Sequence, residues 1–260
     1  MRTLMLLVAA GAAAATATPA TTQDADFRWR GRLDQGRTIE IRGVLGDLHV
    51  ERATGNEVEV VAVKRARRSD PEDVTIEVVP HDDGVTICAV YPSRRRDRPN
   101  DCRPGGGRSS THDNDVNVRW TVRVPAGVRL DGHTVNGDVD ARDLASDVTV
   151  STVNGSVEVS TSGTAEGSTV NGSVRASMGR ADWTGTMRFT TVNGGITVEI
   201  PGDLDAEVEA ATVNGGIETD FPITVRGRFT SKRMNGTIGR GGRTIELETV
   251  NGSIRLRKAR

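Results

Sequence analysis

The chain has 260 residues, 35% of them apolar and only 3% aromatic, with 30 glycines and a net charge of −1. This length allows one or two domains with a real core. The scarcity of Phe and Trp excludes a thick aromatic sandwich core, and the near-neutral balance excludes a dedicated nucleic-acid binder, which carries a strong basic excess.

Residues 1–20 read as a secretory signal peptide. Arg2 gives a positive start, residues 4–15 are apolar, and Ala15-Thr16-Ala17 places small residues at a cleavage site. The apolar run is too short for a membrane span, which needs about 20 residues. No Cys lies near it for lipid attachment. The mature protein is therefore expected to be exported, with no transmembrane segment after signal cleavage.

Residues 24–130 read as an N-terminal β-rich cap. Runs at 39–41, 58–63, 74–79, 85–90 and 116–124 are β-rich and mostly alternate. Gly43-Val44-Leu45-Gly46-Asp47-Leu48 looks like a degenerate copy of the repeat described below. An Arg-, Gly- and Ser-rich loop at 92–115 is expected to be mobile. In an exported chain Cys88 and Cys102 are candidates for a disulfide, which would close a 15-residue loop and stabilise the fold by about 3 kcal/mol. Two free thiols are the alternative. Arg94, Arg95, Arg96, Arg98 and Arg103 make the loop a candidate anionic-ligand site, against the plainer reading of a solvated loop. His49, His81, His112 and His133 show no metal-ligand spacing, and no metal or other cofactor is expected.

Residues 131–260 are repetitive. Thr134-Val135-Asn136-Gly137 recurs at Thr152, Thr169, Thr191, Thr212 and Thr249, with a degenerate copy at Arg233-Met234-Asn235-Gly236. Aligned on Asn136, Asn154, Asn171, Asn193, Asn214, Asn235 and Asn251, every copy has Gly next: Gly137, Gly155, Gly172, Gly194, Gly215, Gly236 and Gly252. Val or Met precedes the Asn, and Val or Ile follows three residues after it. Asn-Gly ordinarily signals a hairpin. In a two-residue hairpin, however, the flanking residues pair and share a face, so Val135 would oppose Asp138 and the two apolar residues of each copy would face opposite ways. Stacked coils, about 4.8 Å apart, keep both inside. They also place Asn and Gly, which tolerate positive φ, at a corner where asparagines bond in a ladder. The expected fold is all-β: a β-solenoid (β-helix-like) of about seven coils at 131–260, behind the cap.

The leader, the early Gly46-Asp47-Leu48, a Val-Thr-Ile strand pair, Arg123-Val124-Pro125-Ala126-Gly127-Val128 and the serial Thr-Val-Asn-Gly units together resemble the bacterial putative-adhesin family. The resemblance spans roughly residues 36–256. It implies an exported β-solenoid of the envelope with no catalytic residues to carry over.

No Gly-x-Ser-x-Gly elbow is present. A β-helix carbohydrate-active enzyme needs converging carboxylates, and Asp138, Asp140 and Glu158 would neighbour one another on the outer face. Mixed-sign surface charge is the plainer reading. A polysaccharide-binding module would want stacking aromatics, and only Trp183 and Phe189 occur in the first four repeats. A Thr row also raises ice binding, but irregular coil lengths argue against a flat lattice. The sequence points to a non-enzymatic structural or adhesin-like interaction protein of the periplasm, cell surface or exterior. Its expected partner is an envelope protein or polysaccharide.

Overall fold

The computed structural model describes residues 26–95, 97–225 and 232–259. The signal peptide at 1–20 and Arg96 lie outside the described residues. Apart from one 3-10 turn at Pro71–Asp73, the described elements are strands. The chain runs through β1 (Phe27–Gly31), β2 (Thr38–Arg42), β3 (Leu48–Arg52), β4 (Val58–Arg65), β5 (Thr75–His81), β6 (Gly84–Val90) and β7 (Asn117–Val124). The repeat region follows: β8 (Arg129–His133), β9 (Val139–Leu144), β10 (Val148–Ser151), β11 (Val157–Thr161), β12 (Ala165–Ser168), β13 (Val174–Met178), β14 (Thr186–Thr190) and β15 (Ile196–Ile200). It ends with β16 (Ala206–Asn214), β17 (Ile217–Thr219), β18 (Thr224–Val225), β19 (Arg233–Ile238), β20 (Arg243–Asn251) and β21 (Ile254–Lys258).

Two sheets result. One runs β1-β4-β7-β3-β9-β11-β13-β15-β21-β17, the other β18-β19-β16-β20-β14-β12-β10-β8-β2-β6-β5. A coil is one strand in each sheet joined by a corner, and identical positions pair in parallel: Val157 with Val174, Val174 with Ile196, Ile196 with Ile254. Most strands alternate buried and exposed, as in Val-Glu-Val of β11, while β2 and β6 are covered on both faces along most of their length. Residues two apart line the thin space between the sheets. Where both sheets would crowd it, one side is glycine. A Cβ on Gly132 would meet Leu48 at 2.7 Å, and one on Gly167 would meet Val174 at 3.0 Å.

The winding is not serial. Coil β6/β7 lies outside β2/β3, which stacks directly on β8/β9, so both sheets run unbroken across residue 130. At the other end β15 is followed in sequence by β16, but β20/β21 sits between β14/β15 and β16/β17. The asparagine order in space is therefore 136, 154, 171, 193, 251, 214. Antiparallel strands finish three of the four sheet ends, with β4 on β7, β5 on β6 and β19 on β16, and the parallel β17 on β21 forms the fourth. The outermost strands are short or carry Arg and Pro, which blunts pairing with other chains.

Three readings of the repeat are corrected. The Val before each Asn does not stack inside. Val153, Val170, Val192, Val213 and Val250 are 38–55% exposed, and the Thr before them is buried. The reason is a hydrogen bond. Each Thr hydroxyl turns inward and donates to a glycine carbonyl of the adjacent coil at 2.8–2.9 Å: Thr134 to Gly46, Thr152 to Gly137, Thr169 to Gly155, Thr191 to Gly172, Thr249 to Gly194 and Thr212 to Gly252. Positive φ does not explain the Asn-Gly pair either. None of the six ladder asparagines has it, and of their glycines only Gly172 does. Glycine is required by close approach, since a Cβ at Gly137, Gly155, Gly172, Gly194, Gly252 or Gly215 would lie 1.9–2.1 Å from the neighbouring glycine oxygen. Finally, Asn235-Gly236 is not a corner. It lies inside β19, opposite Glu209 and Val208. Arg233 stands where the corner needs a small buried hydroxyl, and here Met234 points inward instead.

The asparagine side chains do form the ladder. Five bonds of 2.7–2.8 Å join the six members, each Nδ2 from Asn154 to Asn214 donating to the Oδ1 of the asparagine before it in the stack.

Two outcomes follow from this stacking. Gly155→Ala should cost about 3 kcal/mol or more in urea unfolding, because backbone has to move. Gly216→Ala, with nothing within 4 Å of its Cβ, should stay within about 0.5 kcal/mol. Deleting residues 243–260 removes a coil from inside the stack and leaves its neighbours two strand spacings, about 9.6 Å, apart. That variant should show no cooperative melt by circular dichroism, whereas loss of an end coil from a serial solenoid would only shorten it.

Candidate functional site

The corners make the most distinctive surface. Because Thr turns in, Val turns out, and one Val per coil falls in a line with a step of about 4.8 Å. The corner is concave. Its main hollow, about 920 Å³, is lined by Val170, Val192, Val250 and Val213 with flanking Thr and Ser. Lys232, Arg233 and Glu248 border it. At the Val135 end a smaller hollow of about 220 Å³ opens between Arg42, His133, Ser151 and the loop residues Asp101 and Arg108.

That loop is tied to the sheet. Cys88 in β6 is joined to Cys102 by a disulfide, with Cα atoms 5.7 Å apart. Asn100 Nδ2 donates to the Tyr91 and Ser110 carbonyls, both at 2.8 Å. The buried Tyr91 hydroxyl donates to the Val116 carbonyl at 2.7 Å, and burial pushes its pKa up to about 12. The loop arginines are paired at close range: Arg94 with Asp113, Arg95 and Arg98 with Asp97 at 3.2 and 3.9 Å, and Arg103 with Asp101 at 2.6 Å. Four of the five described loop arginines thus meet carboxylates of their own loop, which weakens their pull on an outside anion.

The outer-face carboxylates are likewise interleaved with cations. Asp140 meets His49 at 3.2 Å and Arg142 at 2.6 Å, and Arg142 reaches Glu158 at 3.7 Å. Asp138 accepts the Ser156 amide at 2.7 Å. Asp140 and Glu158 are register neighbours, but Arg142 stands between them.

One cluster escaped the spacing rules because its members come from different strands. Glu40 on β2 and Asp131 on β8 are paired in register, as are Arg42 and His133. Glu40 is buried. Its carboxylate accepts Thr86 Oγ1 at 2.6 Å, the Gly105 amide at 3.0 Å and Arg42 at 2.7 Å. Burial pushes the acid up, but these donors outweigh it and hold the carboxyl below its ordinary value. Only the alternation of β2 against an apolar core hinted that Glu40 faces outward under a cover.

Fold and corner together define a two-sheet parallel β-solenoid wound on Thr-Val-Asn-Gly turns. The chain belongs to the Toastrack DUF4097 family, whose model matches residues 107–257, more than half of its length. Two solved structures are similar. One is titled a putative cell adhesion protein from Clostridium sporogenes ATCC 15579, at 11% identity and TM-score 0.46, covering 90% of this chain and 99% of that one. The other is titled a putative adhesin from Bacteroides fragilis NCTC 9343, at 13% identity and TM-score 0.35, covering 90% and 96%. No curated protein matches the chain. Among the described residues, no helix is long and apolar enough to cross a membrane.

The disulfide gives a direct test. Cys88→Ser with Cys102→Ser should lower stability by about 3 kcal/mol in urea titrations, in line with the entropy of the closed loop. Faster amide exchange should be confined to the loop and to β2.

Proposed function

We propose that this chain is an exported, non-enzymatic, adhesin-like interaction protein of the cell envelope or exterior. Its contact surface is the corner groove, and its partner is a protein that lays an extended apolar segment along the valine line. The observation that carries this reading is the valine line itself. Water-facing valines aligned in a hollow are out of place on an inert surface, and contiguous exposed apolar strips mark interaction sites. The coil-to-coil hydrogen bonds at the corner come from the Thr hydroxyl, the Asn side chain and the backbone, and none requires a Val side chain there. The groove lining holds no aromatic ring for a sugar to stack on, which favours a polypeptide over a polysaccharide. The paired outer-face charges of Asp140, Arg142 and Glu158 supply no free acid–base pair, which favours binding over hydrolysis.

The test is a photo-crosslinker at Val192 in the mature chain, mixed with envelope extract. Binding is measured beside a Val170→Glu, Val192→Glu variant and a Glu158→Ala, Arg175→Ala variant, with melts to check folding. The crosslink should capture one protein species. The groove variant should lose about tenfold or more in affinity, as expected for a charge placed in an apolar contact, while the outer-face variant stays within about twofold. Equal loss in both variants, or capture of material that survives protease and falls to glycosidase, would overturn the reading.

A further inference from the structure

We propose that Glu40, Asp131 and His133 form a binding site for one first-row divalent metal ion of the zinc class, roofed by the disulfide loop. One donor atom from each residue lies within 4.8 Å of the other two. Tetrahedral zinc ligands at about 2.0–2.2 Å stand roughly 3.4 Å from one another, so the His133–Asp131 pair, now at 2.6 Å, has to open and Glu40 has to adjust to meet the ion, which side-chain rotation on the outer face can supply.

The orientation of His133 points to a cation. Its Nδ1 is 2.6 Å from Ser151 Oγ, and its Nε2 is 2.6 Å from Asp131 Oδ1. Asp131 Oδ1 is shielded from water and receives no hydrogen bond, although Nε2 lies this close to it. A metal ion bound by Nε2 and by this oxygen, with the pair opened to admit it, would satisfy the orphaned atom, and Ser151 would accept from Nδ1–H as the usual partner of the second nitrogen of a metal-bound histidine, fixing the ring. Glu40 contributes Oε1. Its other oxygen is held by Thr86 and Gly105, so the third ligand is already positioned.

The donor set selects the ion. One imidazole and two carboxylates suit zinc and its neighbours, whereas calcium and magnesium favour all-oxygen shells of six or more. Arg42, at 2.7 Å from Glu40 Oε1, competes for the same oxygen and keeps the affinity moderate. Because β2, β8 and the loop each hold part of the site, the ion clamps the loop over the Val135 end of the corner groove. This inference stands apart from the proposed partner, since it concerns different side chains and a different ligand.

The experiment uses the disulfide-intact mature chain, stripped with chelator and titrated calorimetrically with zinc chloride, then with calcium chloride. One zinc per chain at micromolar Kd and no calcium binding are expected. His133→Gln and Asp131→Asn should each weaken zinc by about tenfold or more, and Ser151→Ala by about tenfold, the range seen for groups that orient a ligand. His49→Gln alters a similar histidine–carboxylate pair, with Asp140 at 3.2 Å, and should leave zinc binding unchanged. Cobalt added to the wild type should give visible ligand-field bands, which keeps the test independent of variant folding. Absence of those bands, zinc binding unaffected by His133→Gln, or equal weakening by His49→Gln would each overturn the proposal.

Discussion

Every Thr-Val-Asn-Gly corner rests on one contact across coils: a buried Thr hydroxyl donating to a glycine carbonyl about one strand spacing away. The contact fixes the other three positions. It brings backbone oxygen to within 2.1 Å of where a Cβ would stand on the next glycine, so only Gly fits. It turns Thr inward, so its neighbour Val turns out. It sets coils in register, so the asparagines after Val align and bond side chain to side chain. A net contribution of about 1 kcal/mol per hydrogen bond is modest singly. Repeated through six corners with the asparagine ladder, it gives the stack cooperativity along its axis.

The non-serial winding follows from the same contact and from the problem of open edges. Any two corners of this kind can stack, because each presents the same donor and acceptor rows. The last coil therefore enters between two earlier ones without changing a single corner bond. In return, the C-terminal strands are covered on both sides, and the exposed end falls to β16–β19, where an antiparallel strand finishes the sheet. Insertion requires the earlier coils to leave a gap, so closure of β20/β21 is a long-range step, of the kind that slows folding.

Much of this architecture was legible in the sequence, though part of it for a mistaken reason. In the sequence, the stacked coil wins over the hairpin only on the premise that both Val positions of a repeat face inward. The premise fails: Val153, Val170 and Val192 face outward while Val157, Val174 and Ile196 are buried. What remains valid is the column evidence, since the buried Val/Ile column and the Asn column stack as expected. Apolar periodicity could not reveal that Thr outranks Val for burial, because hydropathy does not see a hydroxyl satisfied by a carbonyl on another coil. Nor could it reveal the swapped coil, because identical corners carry no record of which neighbour they meet. Asn235 misled through its dipeptide alone; Arg233 in the Thr position was the sign that this copy cannot close a corner.

Function in a repeat this uniform has to sit where the repeat is used or interrupted. The valine line uses it: the corner forces one outward residue per coil, and Val there is a choice that the coil contacts do not demand. The cluster of Glu40, Asp131 and His133 interrupts it. Those strands carry charged outer residues under an inserted, disulfide-pinned loop, whereas the equivalent rows on β10 and β12 carry Thr149, Ser151, Glu166 and Ser168. Both features lie along the same row of corners, where His133 and Ser151 line the small hollow beside Val135. A loop clamped there would close one end of the groove and leave the other open. The symmetric stack would thereby acquire a direction along which an extended partner could be read.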